Sequence, residues 1–213
     1  MQQEIVSVKN KWILLLGFVL LLSMTAFAQE FPTAEVSFDY SLINVHPNIP
    51  QFTSFNLNGG GGAFVYNFTP WIGIKSEFEG YATSSGFKND IKNLGFSGSA
   101  SGNLFTYMFG PQIKKHSGKL QPFGEALFGG AHSNAYATIL KDEGLLNGNG
   151  SNNGFAMEFG GGLDWAVGKS VQIRPVEVDY LYTHFGANHI QGYSAGQNNF
   201  KYAAGVNFTF GSK

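Results

Sequence analysis

The sequence predicts an all-β fold, an eight-stranded antiparallel up-and-down β-barrel. Eight segments read as strands, five of them alternating apolar with polar side chains at the period of two that a half-buried strand requires, one of the five with a change of phase. The connections between them are short at one end of the strands and long at the other. Composition agrees: 29 glycines and 15% aromatic residues are high, whereas 13% charged residues is about half the usual share.

The amino-terminal segment reads differently. Lys9 and Lys11 precede an apolar run from Trp12 to Leu22, and Ala26-Phe27-Ala28 supplies the small-x-small pattern of a signal-peptidase site. Residues 1–28 are therefore expected to be a signal peptide cleaved after Ala28, and residues 29–213 one barrel domain. The run is shorter than the roughly 20 apolar residues that cross a bilayer as a helix. No later segment approaches such a helix in length or hydrophobicity. Removing Glu4, Lys9 and Lys11 with the leader leaves 11 basic and 13 acidic residues, a net charge of −2 that argues against nucleic-acid binding. Cysteine is absent, which excludes disulfides and thiolate metal sites.

The first strand, Ala34 to Leu42, sets Val36, Phe38, Tyr40 and Leu42 against Glu35, Ser37, Asp39 and Ser41. The second, Phe55 to Phe68, is interrupted by Gly59 to Gly62, and its facing stays open. In the third, Trp71 to Tyr81, Ile72, Ile74 and Phe78 oppose Lys75, Glu77 and Glu79. The fourth, Leu104 to Gln112, and the fifth, Gln121 to Ser133, also allow either facing. The sixth, Gly154 to Val167, sets Phe155, Met157, Phe159, Leu163, Trp165 and Val167 against Glu158 and Asp164. The seventh, Val171 to His184, changes phase, because Gln172 and Arg174 share one parity and Glu177 and Asp179 the other. Proline cannot donate to a ladder, so Pro175 at the change predicts a β-bulge at Arg174-Pro175 that keeps Arg174, Glu177 and Asp179 on the polar side. The eighth, Phe200 to Phe210, sets Phe200, Tyr202, Ala204, Val206, Phe208 and Phe210 against Lys201, Asn207 and Thr209.

Asn67 to Pro70 and Gly168 to Ser170 are tight turns, and Ile113 to Lys119 is a little longer. Ile43 to Ser54, Thr83 to Gly95, Asn134 to Asn153 and Phe185 to Gly196 are long and rich in Gly, Asn and Ser. Short turns at one rim and long loops at the other match a bacterial outer-membrane barrel with its amino end and short turns in the periplasm.

Charge decides which face is inside. A soluble lipocalin-like barrel hides its apolar face around a ligand, whereas a membrane barrel turns it to lipid. Nine acids (Glu35, Asp39, Glu77, Glu79, Glu125, Glu158, Asp164, Glu177 and Asp179) and three bases (Lys75, Arg174 and Lys201) lie within the strands, and the other charges fall in ends or loops. A soluble surface would mix signs and use more lysine. Two aromatic girdles are expected: Trp71, Trp165, Phe208 and Phe210 near the short turns, and Tyr40, Tyr81, Tyr180, Tyr182, Phe200 and Tyr202 near the long loops. The polarity predicts an eight-stranded antiparallel up-and-down transmembrane β-barrel with its charges in the lumen.

The runs GGGGAFVYNFTPWIGIKSEFEGY, MFGPQI, PFGEALFGGAH, IRPVEVDYLYTHFG and NNFKYAAGVNFTFG resemble the OmpA-like outer-membrane β-barrel family in its small porin-like form. The resemblance spans residues 29–213, and its motifs are turn and rim punctuation rather than catalytic signatures. It implies a fold and an outer-membrane location, with outer-membrane lipids and the barrel-assembly machinery as partners. It implies no cofactor and no cell-wall anchoring. In that family the chain ends in an aromatic that the machinery reads; here Phe210 is followed by Gly211, Ser212 and Lys213.

An eight-stranded barrel is just wide enough to be filled by its own side chains, so the strand charges are expected to form an ion-paired plug. The expected role is then structural or surface-interactive, through the four long connections. Nine acids against three bases leave six negative charges that cannot all ionise without water or cations. The alternative is a narrow cation-preferring passive channel along Glu35, Asp39, Glu77, Glu79, Glu177 and Asp179. No enzyme is expected: His132 and Ser133, with Glu125 earlier on the strand, are the sole invitation, and neighbours on a strand point to opposite faces. His46, His116, His132, His184 and His189 match no zinc spacing. Lys114, Lys115, His116 and Lys119 read as a solvated basic turn near anionic headgroups. Gly59 to Gly62 lacks the Lys-Ser/Thr of a phosphate loop and is assigned to curvature or close packing. In the longest loop, Ile139, Leu140, Leu145 and Leu146 read as strand extension.

Overall fold

The structure, a computed structural model, describes residues 30–46, 55–83, 103–133, 152–185 and 196–212. The predicted leader and most of each long connection, including Ile139 to Leu146 and His189, lie outside the described residues. Eight strands follow in chain order: β1 (Ala34–His46), β2 (Phe55–Asn67), β3 (Ile72–Thr83), β4 (Asn103–Lys114), β5 (Leu120–Ser133), β6 (Asn152–Ala166), β7 (Val171–Phe185) and β8 (Gly196–Phe210). Each pairs antiparallel with the next, and β8 pairs with β1 to close the barrel. Closure removes the two unpaired edges that an open sheet of the same strands would expose.

The pleat sorts the side chains as the charges predict. Phe78 is 65% exposed, while its neighbours Glu77 and Glu79 are 1% and 4% exposed. The open facings are now set: β2 turns Leu57, Ala63, Val65 and Asn67 inward, β4 turns Leu104, Thr106, Met108, Gln112 and Lys114 inward, and β5 turns Gln121, Phe123, Glu125, Leu127, Ala131 and Ser133 inward. Phe38, Phe64, Phe105, Phe109, Phe128 and Phe159 stand on the outside as an apolar belt. β1 runs on to His46 because Ile43 and Val45 keep the inward parity of Ser41 although they are apolar. There the pleat persists while the hydrophobic contrast that marks it reverses.

The phase change in β7 is a bulge. Its register shifts between Arg174 and Glu177 against β8 and again against β6, where Leu163 pairs with Val176 but Trp165 with Ile173, so both neighbours register one extra residue in β7. Pro175 and Val176 stay exposed, and Arg174, Glu177 and Asp179 all reach the lumen. Nine of the ten expected girdle aromatics lie on the outer face, with Tyr40 at 59% exposed and Trp165 at 49%. Tyr81 does not: it is 2% exposed and points inward. It shares parity with Lys75, Glu77 and Glu79, so the pleat that carries those charges into the lumen carries the ring with them.

Two inward glycines make room for this interior. A Cβ on Gly61 would stand 2.1 Å from the Phe78 carbonyl oxygen and 2.7 Å from Glu79 Cγ, and one on Gly160 would stand 2.1 Å from Asp179 Oδ1. Close packing is therefore the use of the Gly59 to Gly62 quartet. Gly160→Ala is expected to destabilise the folded barrel by about 1–3 kcal/mol through overpacking. Gly124→Ala, whose Cβ would stand 3.6 Å from the Gly160 carbonyl oxygen, an ordinary contact, is expected to leave stability unchanged. Urea unfolding in detergent micelles, followed by tryptophan emission, separates the two.

Candidate functional site in the barrel lumen

From the short-turn rim upward the lumen is filled in three tiers. In the lowest, Lys114 Nζ donates to Asp164 Oδ2 at 2.7 Å, to Gln172 Oε1 at 2.9 Å and to Glu35. Asn67 and Asn207 donate to Glu35 as well, and Gln172 donates to Gln121 Oε1 at 2.9 Å. His116 closes the mouth, with Nε2 2.8 Å from Glu35 Oε1, Nδ1 2.7 Å from the Pro70 carbonyl oxygen, and the Phe31 ring at 6.4 Å. Every carboxylate oxygen here faces a donor, which burial demands.

Arg174 links this tier to the next. Its Nε donates to Asp164 Oδ1 at 2.8 Å, its other arm to Glu177 Oε2 at 2.7 Å, and its guanidinium lies 4.4 Å from the centre of the Phe123 ring.

The middle tier is built on two ammonium groups. Lys75 Nζ lies 2.6 Å from Glu77, 2.7 Å from Glu125 and 3.3 Å from Glu177. Lys201 Nζ lies 2.6 Å from Glu158, 3.0 Å from Glu77, 3.4 Å from Asp179, 3.5 Å from Glu79 and 3.7 Å from Glu177. An ammonium has only three donors, so Lys201 cannot hydrogen-bond all five carboxylates. Among the described residues none donates a hydrogen bond to Glu158 Oε2, Asp39 Oδ1 or either oxygen of Asp179. Tyr81 O–H donates to Glu79 Oε2, a partner that no outward girdle position could offer. The carboxylates of Glu77, Glu125, Glu158 and Glu177 approach within 4.8 Å of one another, close enough to share a cation. The cations they share are Lys75 and Lys201.

The third tier, towards the long loops, is mainly apolar, with Thr106, Ser133, Thr183 and Asn199 buried among the aliphatics and Asn199 Nδ2 donating to Thr183 Oγ1 at 3.4 Å. Ile43, Leu127, Ala131, Ala156 and Leu181 are fully buried there, with Val45, Leu57, Leu104, Met108 and Phe185 close to it. Charge counting did not reveal this seal, because inward-facing aliphatics look like the outward ones when strand facing is open.

All twelve charges expected in the lumen face it, and the structure adds two groups that were expected in a solvated turn. Lys114 belongs to β4 and is 2% exposed, and His116 reaches back to Glu35. Lys114 keeps the parity of Gln112, so one more inward step along that strand was the signal that could have found it. Four lysine or arginine side chains, with His116, thus face nine carboxylates in the described lumen. Ser133 faces the lumen and His132 the outside, its Nδ1 2.6 Å from Asn153 Oδ1, so the two do not form a base and nucleophile.

No family model matches the sequence, and no curated protein matches it. Solved structures match by shape. The Neisserial surface protein A aligns with a TM-score of 0.57 at 11% identity over 85% of this chain and 99% of that one. Ail, the attachment invasion locus protein of Yersinia pestis, aligns with a TM-score of 0.48 at 14% identity over 85% and 98%. The amino-terminal β-barrel domain of OprF from Pseudomonas aeruginosa aligns with a TM-score of 0.42 at 14% identity over 85% and 100%. The likeness to the Neisserial surface protein is one of fold, the fold that the OmpA-like resemblance implied.

Removing one partner from a buried ion cluster leaves uncompensated charge, so Lys201→Met is expected to cost about 3–5 kcal/mol of stability. Lys119→Met, on the exposed turn, is expected to change it by less than about 0.5 kcal/mol. The urea midpoints of the two variants in the same detergent check both values.

Proposed function

We propose that the chain is an outer-membrane β-barrel protein of bacteria with a structural or surface-interaction role, exported on a leader cleaved after Ala28. In this reading its partners are outer-membrane lipids, the barrel-assembly machinery during insertion, and a surface ligand met by the four long connections. The role calls for no catalytic residue and no cofactor. The outer face supports the location: apolar and aromatic side chains are exposed there while the strand charges are turned inward, the arrangement that lipid requires.

The observation that carries the role is the double closure of the lumen. Lys75 and Lys201 sit among the acids that a cation path would use, and above them the mainly apolar tier of Ile43, Leu57, Leu104, Leu127 and Leu181, broken among the described residues only by neutral side chains such as Thr106, Thr183 and Asn199, offers a passing cation no charge to replace its hydration shell. A path along Glu35, Asp39, Glu77, Glu79, Glu177 and Asp179 would have to cross both. The plugged interior therefore suits a rigid support for outward-facing loops better than a conduit.

The refolded protein in a planar bilayer at neutral pH, under a salt gradient, is expected to give no discrete conductance steps. Cation-selective steps that disappear in the Glu77→Gln, Glu79→Gln variant would replace this reading with the passive channel.

A further inference from the structure

Exposed charge is unevenly spread around the short-turn rim. Lys115 and Lys119 stand on the turn between β4 and β5, and Lys169 on the turn between β6 and β7, all exposed. The two turns adjoin: the Ala166 N–H donates to the Lys119 carbonyl oxygen at 2.8 Å, and Leu120 pairs with Trp165. Of the described acidic residues only Glu30 is exposed, and it belongs to neither turn. Asp164, the acid nearest these lysines along β6, is turned into the lumen and held by Lys114 and Arg174. The lysines of this arc therefore have no exposed carboxylate of their own turns to pair with.

Directly beside them the outer surface is apolar. Ile113 is 60% exposed, Leu120 56%, Trp165 49% and Trp71 44%. Trp71 adjoins the arc from the other side, since its carbonyl oxygen accepts from the Lys114 N–H at 2.9 Å. Elsewhere on this rim, Phe68 is exposed with no described lysine on its turn, whereas Phe210 borders the arc, since the Thr209 N–H donates to the Ser170 carbonyl oxygen at 3.0 Å. A cationic edge standing over tryptophan and aliphatic side chains complements a molecule with an anionic head and acyl tails. Free phosphate would engage the lysines alone.

We propose that the arc formed by Lys115, Lys119 and Lys169, with Trp71 and Trp165, selects anionic phospholipid from the leaflet that the short turns meet. The proposal rests on the membrane reading above and adds a lipid class and a place. Each lysine near an anionic headgroup layer contributes roughly a fivefold preference, and the two tryptophans hold the depth of the contact.

The test uses the full chain carrying Trp12→Phe, so that Trp71 and Trp165 alone report, refolded into phosphatidylcholine vesicles. A minor fraction of brominated phosphatidylglycerol or, in a parallel set, brominated phosphatidylcholine quenches tryptophan emission on contact. The expected result is quenching by both, stronger by about fivefold or more for the phosphatidylglycerol, with the excess lost in a Lys115→Gln, Lys119→Gln, Lys169→Gln variant and retained when the three are Arg. Equal quenching by the two lipids overturns the proposal and leaves the membrane reading standing. An excess that survives in the Gln variant also overturns it, because the lysines would not be its source. Quenching by neither lipid overturns the membrane reading and this proposal together.

Discussion

A closed barrel of eight strands encloses space for side chains and little else, and the rest of the structure depends on that constraint. Each inward charge must find its counter-charge across the lumen, because water is too scarce there to solvate it. Lys201 shows the consequence most plainly. It rises from β8 to meet carboxylates from β3, β6 and β7, so one ammonium ties the far wall of the barrel to the near one. Arg174 does the same between tiers, holding Asp164 below and Glu177 above. The β7 bulge follows from this demand, since without it Arg174 and Glu177 would stand on opposite faces.

The backbone yields where the side chains need space. Gly61 and Gly160 lie beneath Glu79 and Asp179, so the long inward acids of one strand fold over bare backbone of the next. The same economy governs the order of the tiers. Polar groups crowd the short-turn end, where His116 and Phe31 cover the mouth, and aliphatics fill the end from which the long connections rise. The lumen is thus filled by paired charge below and mainly by apolar contact above.

Much of this was legible in order along the chain. The alternation of Glu35, Ser37, Asp39 and Ser41 against Val36, Phe38, Tyr40 and Leu42 states both the strand and its inner face, and Pro175 at a change of parity states the bulge. Lys114, His116 and Tyr81 depart from their residue types for one shared reason: lysine and histidine in a turn suggest a solvated surface and tyrosine an interface, yet each turns to the lumen. Position wins in a strand, since a side chain cannot leave its face without breaking the ladder.

The sequence by itself determined the number of strands, their up-and-down order, the outward apolar belt and the inward charge, because a period of two and the lengths of the connections are local properties of the chain. Only the tertiary structure decided which acid meets which base, that four lysine or arginine side chains rather than three serve the described lumen, and that a mainly apolar tier fills its long-loop end. Those facts depend on the stagger between strands far apart in sequence, which closure of the barrel sets and no single strand records.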